Sequence, residues 1–200
     1  MTVTLDPNKM MLLPDDVLKS TFPPNSLFGR MGSEGSGSCF FHSVCMALNT
    51  RKYLTQDEAT QKNIGIKFRR AFINHITNER WETFKRKRHI TDPITVETLI
   101  KNFNEPTFWA NETMIKFVSD VMKLNIIFID MSNGKIYCGV RGKQTEPLIM
   151  ITWLNKSHFE PVFRVLDSVD DKVLLNFMFD MQQNADVVDA VMSSYKAQCS

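Results

Sequence analysis

An α+β fold is what the sequence predicts, and three observations carry it. Apolar residues recur every three or four positions in several stretches between residues 39 and 122, whereas core strands and an Asn-Gly turn follow only after residue 124. The chain has 200 residues, 43% of them hydrophobic and 23% charged, enough for one globular core. Helices first and strands late give a small, mostly antiparallel sheet flanked by helices.

Residues 1–28 read as an arm packed along the main domain. Pro7, Pro14, Pro23 and Pro24 interrupt it, and "DDVLKSTF" is its one amphipathic piece. The loop "GSEGSGS" then leads into "CFFHSVCMALN", where Phe40, Val44 and Leu48 lie four apart with Phe41 and Cys45 beside them, a single apolar helical face. "TQDE" announces the next helix, with Thr55 as its cap and Glu58 reaching back; Ile64, Phe68, Phe72 and Ile76 keep a spacing of four.

The polar stretch "ERWETFKRKRHITDP" breaks that pattern, and "TVETLIKNF" is a short helix entered through Thr95. Asn111 caps "ETMIKFVSDVMKL", whose Met114, Val118, Val121 and Met122 form one face. "NIIFID" is a strand, Asn133-Gly134 a hairpin turn, "LIMITW" a third strand, "LNKS" a turn and "HFEPVFRV" a fourth strand. "DDKVLLNFMFDMQQ" and "ADVVDAVMSSYK" read as two more helices. The organisation expected is therefore an arm (1–28), a main domain (29–166) and a C-terminal helical extension (167–200).

Charge and composition exclude several classes of function. With 24 basic and 22 acidic residues the net charge of +2 creates no large field toward nucleic acid or an anionic membrane. The basic run "FKRKRH" lacks interleaved aromatics and reads as a solvated helix end, so no direct nucleic-acid partner is expected. The longest apolar runs fall far short of the ~20 residues that cross a bilayer. Cys39, Cys45, Cys138 and Cys199 show no framework spacing, and the start of the chain lacks a basic segment followed by an apolar run. A reducing, cytoplasmic interior and a monomer are expected.

Cys39 is the candidate nucleophile. A thiol attacks as thiolate, and the N-terminus of a helix or a protonated histidine lowers its pKa. Ser36, Gly37 and Ser38 let backbone N–H groups converge near the sulfur, where each donor to an oxyanion is worth about 3 kcal/mol. The opposing reading is a small buried hydrophobe behind an ordinary loop. Cys39, His42 and Cys45 lie on one helix and cannot close a tetrahedral site alone, so neither metal nor cofactor is expected.

Among four histidines, His158 is the candidate base. His42 shares the helix of Cys39 and cannot readily swing to a thiol at its end; His75 and His89 read as surface or boundary residues. His158 begins a strand after a turn, and alternation places Glu160 and Val162 on its face, opposite Phe159, Pro161 and Phe163. Residues two apart are about 6–7 Å apart at Cα, which a glutamate spans to orient one ring nitrogen. That orienting role predicts that Glu160→Ala lowers turnover and leaves folding nearly intact.

Taken together, "SGSCFFHSV", "PTFWANETMIKFVSDVMKLNIIFID" and "SHFEPVFRV" resemble the OTU (ovarian tumour) family of cysteine proteases, which are mostly deubiquitinases, over roughly residues 29–166. The resemblance implies a papain-type fold with Cys39 as nucleophile, His158 as base and then acid, Glu160 as the group that fixes the imidazole, and Trp109 closing the core. It also implies ubiquitin or a ubiquitin-like modifier, and conjugates of these, as partners. The chain departs from the family pattern at Ser36, where an aspartate is usual, and at Glu160, where Asp or Asn is usual. The alternatives are an interaction module of the same fold with weakened catalysis, and a protease acting on a non-ubiquitin peptide.

Overall fold

In the computed structural model, which describes residues 4–140, 145–169 and 172–199, one sheet separates two clusters of apolar side chains. The chain enters through β1 (Met10–Leu12), α1 (Asp15–Thr21) and β2 (Phe28–Met31). Beyond the glycine-serine loop come α2 (Cys39–Leu48), α3 (Thr50–Leu54), α4 (Glu58–Ala71), a 3-10 turn over Phe72–His75, α5 (Asn78–Arg88), α6 (Val96–Asn104) and α7 (Glu112–Met122). The remainder is β3 (Asn125–Asp130), β4 (Lys135–Val140), β5 (Leu148–Leu154), β6 (His158–Val169), β7 (Lys172–Asn176), β8 (Met178–Phe179) and α8 (Ala185–Cys199).

The strand order is β1-β2-β6-β5-β3-β4, with β7 on β6 and β8 on β5. β3 and β5 run parallel and the other described pairs antiparallel, so the sheet is mostly antiparallel. Alternation along the central strands feeds both clusters. β3 sends Ile126 and Phe128 toward the cluster that holds α2 and α7, and Ile127 and Ile129 toward the one that holds α1 and α8. β5 divides Ile149 and Ile151 from Leu148, Met150 and Leu154 in the same way. Burial on two faces is why "NIIFID" and "LIMITW" are unbroken apolar runs.

The caps at Thr95 and Asn111 form as the sequence predicts: their side chains accept from Thr98 N–H at 3.2 Å and Met114 N–H at 2.9 Å. Gly134, at φ +68°, makes the β3–β4 turn. Elsewhere the structure differs. The arm contributes the sheet's edge strand β1, and its expected end at residue 28 is the first residue of β2. The cap of α4 is Asp57, which accepts from Thr60 N–H at 2.7 Å, while Thr55 donates to Lys52 O at 3.1 Å.

The polar stretch after residue 77 is the helix α5. It buries two side chains three positions apart, Trp81 and Phe84, which stack on each other and meet Phe117, so no longer apolar period marks it. Its last turn carries Lys85 to Arg88, where cations suit the helix dipole, and Lys87 and Arg88 reach Asp120 at 2.5 and 3.4 Å. Residues 172–179 form β7 and β8 instead of a helix, because β6 and β5 take up their backbone groups. A short apolar run does not reveal its state by periodicity alone. The helix predicted from "ADVVDAVMSSYK" is α8, which buries Val187, Val188 and Val191.

His42 is fully buried against α4. A Cβ on Gly65 would lie 2.1 Å from its Cε1, so only glycine lets the helices approach this closely. Its Nδ1 shares a 2.8 Å hydrogen bond with the Tyr53 hydroxyl, and burial pulls its pKa down to about 4. The unfolded chain therefore binds a proton at this position between pH 6.5 and 4 that the folded chain refuses. This contribution to stability is complete above pH 6.5 and lost as pH falls toward 4, a change of about 3 kcal/mol. Urea unfolding at pH 7.5 and 4.5 should show a flatter dependence in His42→Leu than in the native chain; equal dependence would refute the assignment.

Candidate active site

Cys39 opens α2 and is 1% exposed, and the helix packs on β6. The backbone N–H of Phe159, the residue directly after His158, and those of Phe40 and of Cys39 itself lie near its sulfur and favour the thiolate. The Phe159 peptide is fixed from its other side: its carbonyl accepts from Ser33 Oγ at 2.6 Å and Ser43 Oγ at 3.0 Å. Helix start and strand start are thus joined through one backbone unit. Residues far apart in sequence meet at the rim of the sheet.

The loop ahead of the thiol is tightly specified. A Cβ on Gly37 would lie 2.3 Å from the Thr107 carbonyl oxygen, so this position demands glycine. Ser38 Oγ donates to Pro106 O at 3.0 Å. Ser36 accepts from Ser38 N–H on its hydroxyl at 3.3 Å and from Cys39 N–H on its carbonyl at 3.0 Å. Two donors expected to face an oxyanion are therefore engaged by Ser36 in this structure. Glu34, at the start of the loop, pairs with Lys62 at 3.6 Å.

His158 is 6% exposed at the first position of β6, with Glu160 on the same face and fully buried. Nε2 of His158 faces Glu160 Oε1 at 3.6 Å, beyond hydrogen-bond range, and has no hydrogen-bond partner among the described residues. Glu160 is instead bound by two groups the sequence did not reveal: the Arg30 guanidinium on Oε2, and the Leu5 N–H on Oε1 at 2.8 Å. Its carbonyl accepts from Thr152 Oγ1 at 3.1 Å.

Trp109 does not close the core. It is 47% exposed beside Phe108 at 37%, while Ala110 and Met114 take the buried places at the entry to α7. The segment ahead of a helix cap faces solvent here because residues 106–107 lie on the Cys39 loop. His75 and His89 are exposed.

Two shifts define the resting chemistry. Burial pushes the Cys39 thiol up to about 11, against the pull of the three N–H groups and of Arg69. Burial, and then the charge of Arg30, hold His158 below the ordinary histidine value. Thiol and imidazole are therefore both neutral at pH 7. Burial also raises the Glu160 carboxyl, opposed by Leu5 N–H and Arg30.

The chain matches the family described as OTU-like cysteine protease over residues 34–159. No curated protein sequence matches it significantly. Among solved structures it is similar to an ovarian tumour (OTU) domain in complex with ubiquitin, at 13% identity and TM-score 0.55, over 96% of this chain and 94% of that one. The OTUD1 OTU domain aligns at 14% identity and TM-score 0.49, over 68% and 85% of the chains. The viral OTU domain protease of Qalyub virus aligns at 13% and 0.47, over 78% and 100%. The family match covers more than half of the chain and contains both Cys39 and His158, and the fold agrees with it. The chain belongs to the OTU-like cysteine protease family.

Proposed function

We propose that this chain is a deubiquitinase that hydrolyses isopeptide or peptide bonds after the C-terminal glycine of ubiquitin or a ubiquitin-like modifier. The observation that supports it most is the docking of the helix that opens with Cys39 on the head of the strand that carries His158 and Glu160, through Ser43 Oγ on the Phe159 carbonyl at 3.0 Å, with the Phe159 N–H beside the sulfur. A solved OTU domain of the same fold is bound to ubiquitin.

The reaction follows from the groups available. His158 Nδ1 takes the Cys39 proton as sulfur attacks the carbonyl carbon, and the N–H groups of the loop, released from Ser36, receive the oxyanion. His158 then protonates the departing amine, leaving a thioester on Cys39. Water, deprotonated by His158, attacks that thioester and frees the glycine carboxylate and the thiol. Arg30 and Leu5 fix the Glu160 carboxylate against the imidazole, where it stabilises the imidazolium.

A panel of ubiquitin and ubiquitin-like proteins with C-terminal electrophiles tests this reading. The expected result is a one-to-one adduct, placed on Cys39 by peptide mass. Binding of ubiquitin without an adduct would identify an interaction module instead. No adduct and no binding, with a non-ubiquitin peptide cleaved at Cys39, would identify a different protease substrate.

A further inference from the structure

Arg69 is a fully buried arginine on α4 that the reaction above does not use. Its guanidinium meets acceptors on three segments. Nε donates to Phe103 O at 3.2 Å and Nη2 to Asn102 O at 2.5 Å, both at the C-terminal end of α6. Nη1 faces Gly37 O at 3.0 Å, Ser38 Oγ at 3.3 Å and Pro106 O at 3.4 Å. The cation also lies 5.0 Å from the centre of the Phe41 ring.

We infer that Arg69 is a positioning residue for the nucleophile: its planar fork anchors the carbonyl side of the Gly37–Ser38 peptide, so that the Ser38 and Cys39 N–H groups stay beside the sulfur and reach the oxyanion once Ser36 releases them, and its charge supports the thiolate. The inference rests on Cys39 being the nucleophile. Gly37 O and Ser38 Oγ belong to the two residues before the thiol, and the same cation meets both of them. Orientation of that peptide decides where the Ser38 and Cys39 N–H groups point. The charge lies close enough to favour the ionised sulfur, and Cys39 in turn favours the guanidinium. Burial pulls Arg69 down only to about 10, so it remains a cation at neutral pH. Three residues before the cysteine stands Ser36, an uncharged side chain, and the charged group that holds the Gly37–Ser38 peptide comes from α4.

A plainer role exists: satisfying the carbonyls that end α6, as any helix C-terminus requires. The two roles give opposite results at the thiol. Loss of a merely structural contact loosens the loop, exposes buried Cys39 and speeds its alkylation; loss of a charge beside the thiolate slows it.

The experiment compares the full-length chain with Arg69→Lys and Arg69→Met. It follows iodoacetamide modification of the Cys39 peptide by mass at pH 8, and kcat and KM on a ubiquitin C-terminal fluorogenic amide, both scaled to the folded fraction. Lysine keeps the charge but loses the fork. Arg69→Lys is expected to alkylate within about twofold of the native rate, with kcat reduced at least about tenfold and KM within about twofold. Arg69→Met is expected to alkylate about tenfold more slowly, one pKa unit of thiolate. Native kcat in Arg69→Lys, or faster alkylation in Arg69→Met, would overturn the inference. If Arg69→Met does not fold, the kcat of Arg69→Lys decides; if the native chain does not cleave the ubiquitin amide, the alkylation of Arg69→Met decides. Failure of the ubiquitin reading is thus separate from failure of this one.

Discussion

Cys39→Ala is expected to leave a folded protein whose hydrolysis of a ubiquitin C-terminal amide is lost by at least ~10⁴-fold, and His158→Ala to lose about as much. The two act as one unit, because sulfur attack and proton transfer share a transition state, so the double variant should be no worse than either single one. Folding should survive both changes. Cys39→Ala removes one sulfur from a buried site, and His158 stands at the rim of the sheet with Nε2 unbonded among the described residues. The pH profile carries the sharper test. His158 is held below the ordinary value of 6.5 by burial and by Arg30, so it remains a neutral base until the medium is acid. The acid limb of kcat/KM, which reports the base of the free enzyme, should therefore lie below pH 6.5. Alkylation of the resting thiol, raised to about 11, should climb steadily from pH 7 to 10 with no plateau near neutrality. A plateau near pH 7 would mean a preformed thiolate-imidazolium pair, and an acid limb above 7 would place the base on another residue.

How far the sequence reaches is instructive at particular residues. The caps at Thr95 and Asn111 and the turn at Gly134 were legible because each is a local contract between a side chain and nearby backbone. α7 and β3 were legible because one face, or both, must be apolar whatever packs there. β7 was not: "KVLLN" suits either period, and its pairing with β6 is a tertiary fact. α5 was missed because only Trp81 and Phe84 enter the core from an otherwise charged helix. In the site, Cys39, His158 and Glu160 could be nominated from spacing and alternation, while Arg30 and Arg69 could not. The one available sign was a charged residue in a short apolar strand, "FGRM", or on the apolar side of a helix. Each is buried only because partners from distant segments meet its donors.

Arg30 changes what Glu160 must be expected to do. Glu160→Ala should destabilise the fold by about 3–5 kcal/mol, and the sequence-based expectation of nearly intact folding gives way to this. Arg30 is 1% exposed and forms an ion pair with Glu160 of β6, so truncating the carboxylate removes a buried countercharge from an interior cation. Leu5 N–H loses its acceptor in the same change. Removing both charges is a different experiment: Arg30→Met with Glu160→Leu takes both ions out of the interior, and should recover most of the loss, because the desolvation of both groups disappears with them. The double-mutant cycle by urea unfolding then isolates the pair, with a coupling of at least ~2 kcal/mol expected. A Glu160→Ala protein within ~1 kcal/mol of native would show that water reaches Arg30 once the carboxylate is gone. Turnover separates the structural role from the orienting one. If Glu160 also holds the imidazole, the refolded double variant stays slow, with kcat reduced at least ~100-fold and KM little changed. Native turnover in that variant would leave Glu160 a purely structural partner of Arg30, and His158 would have to be oriented by the sheet alone, through the Phe159 peptide that Ser33 and Ser43 hold.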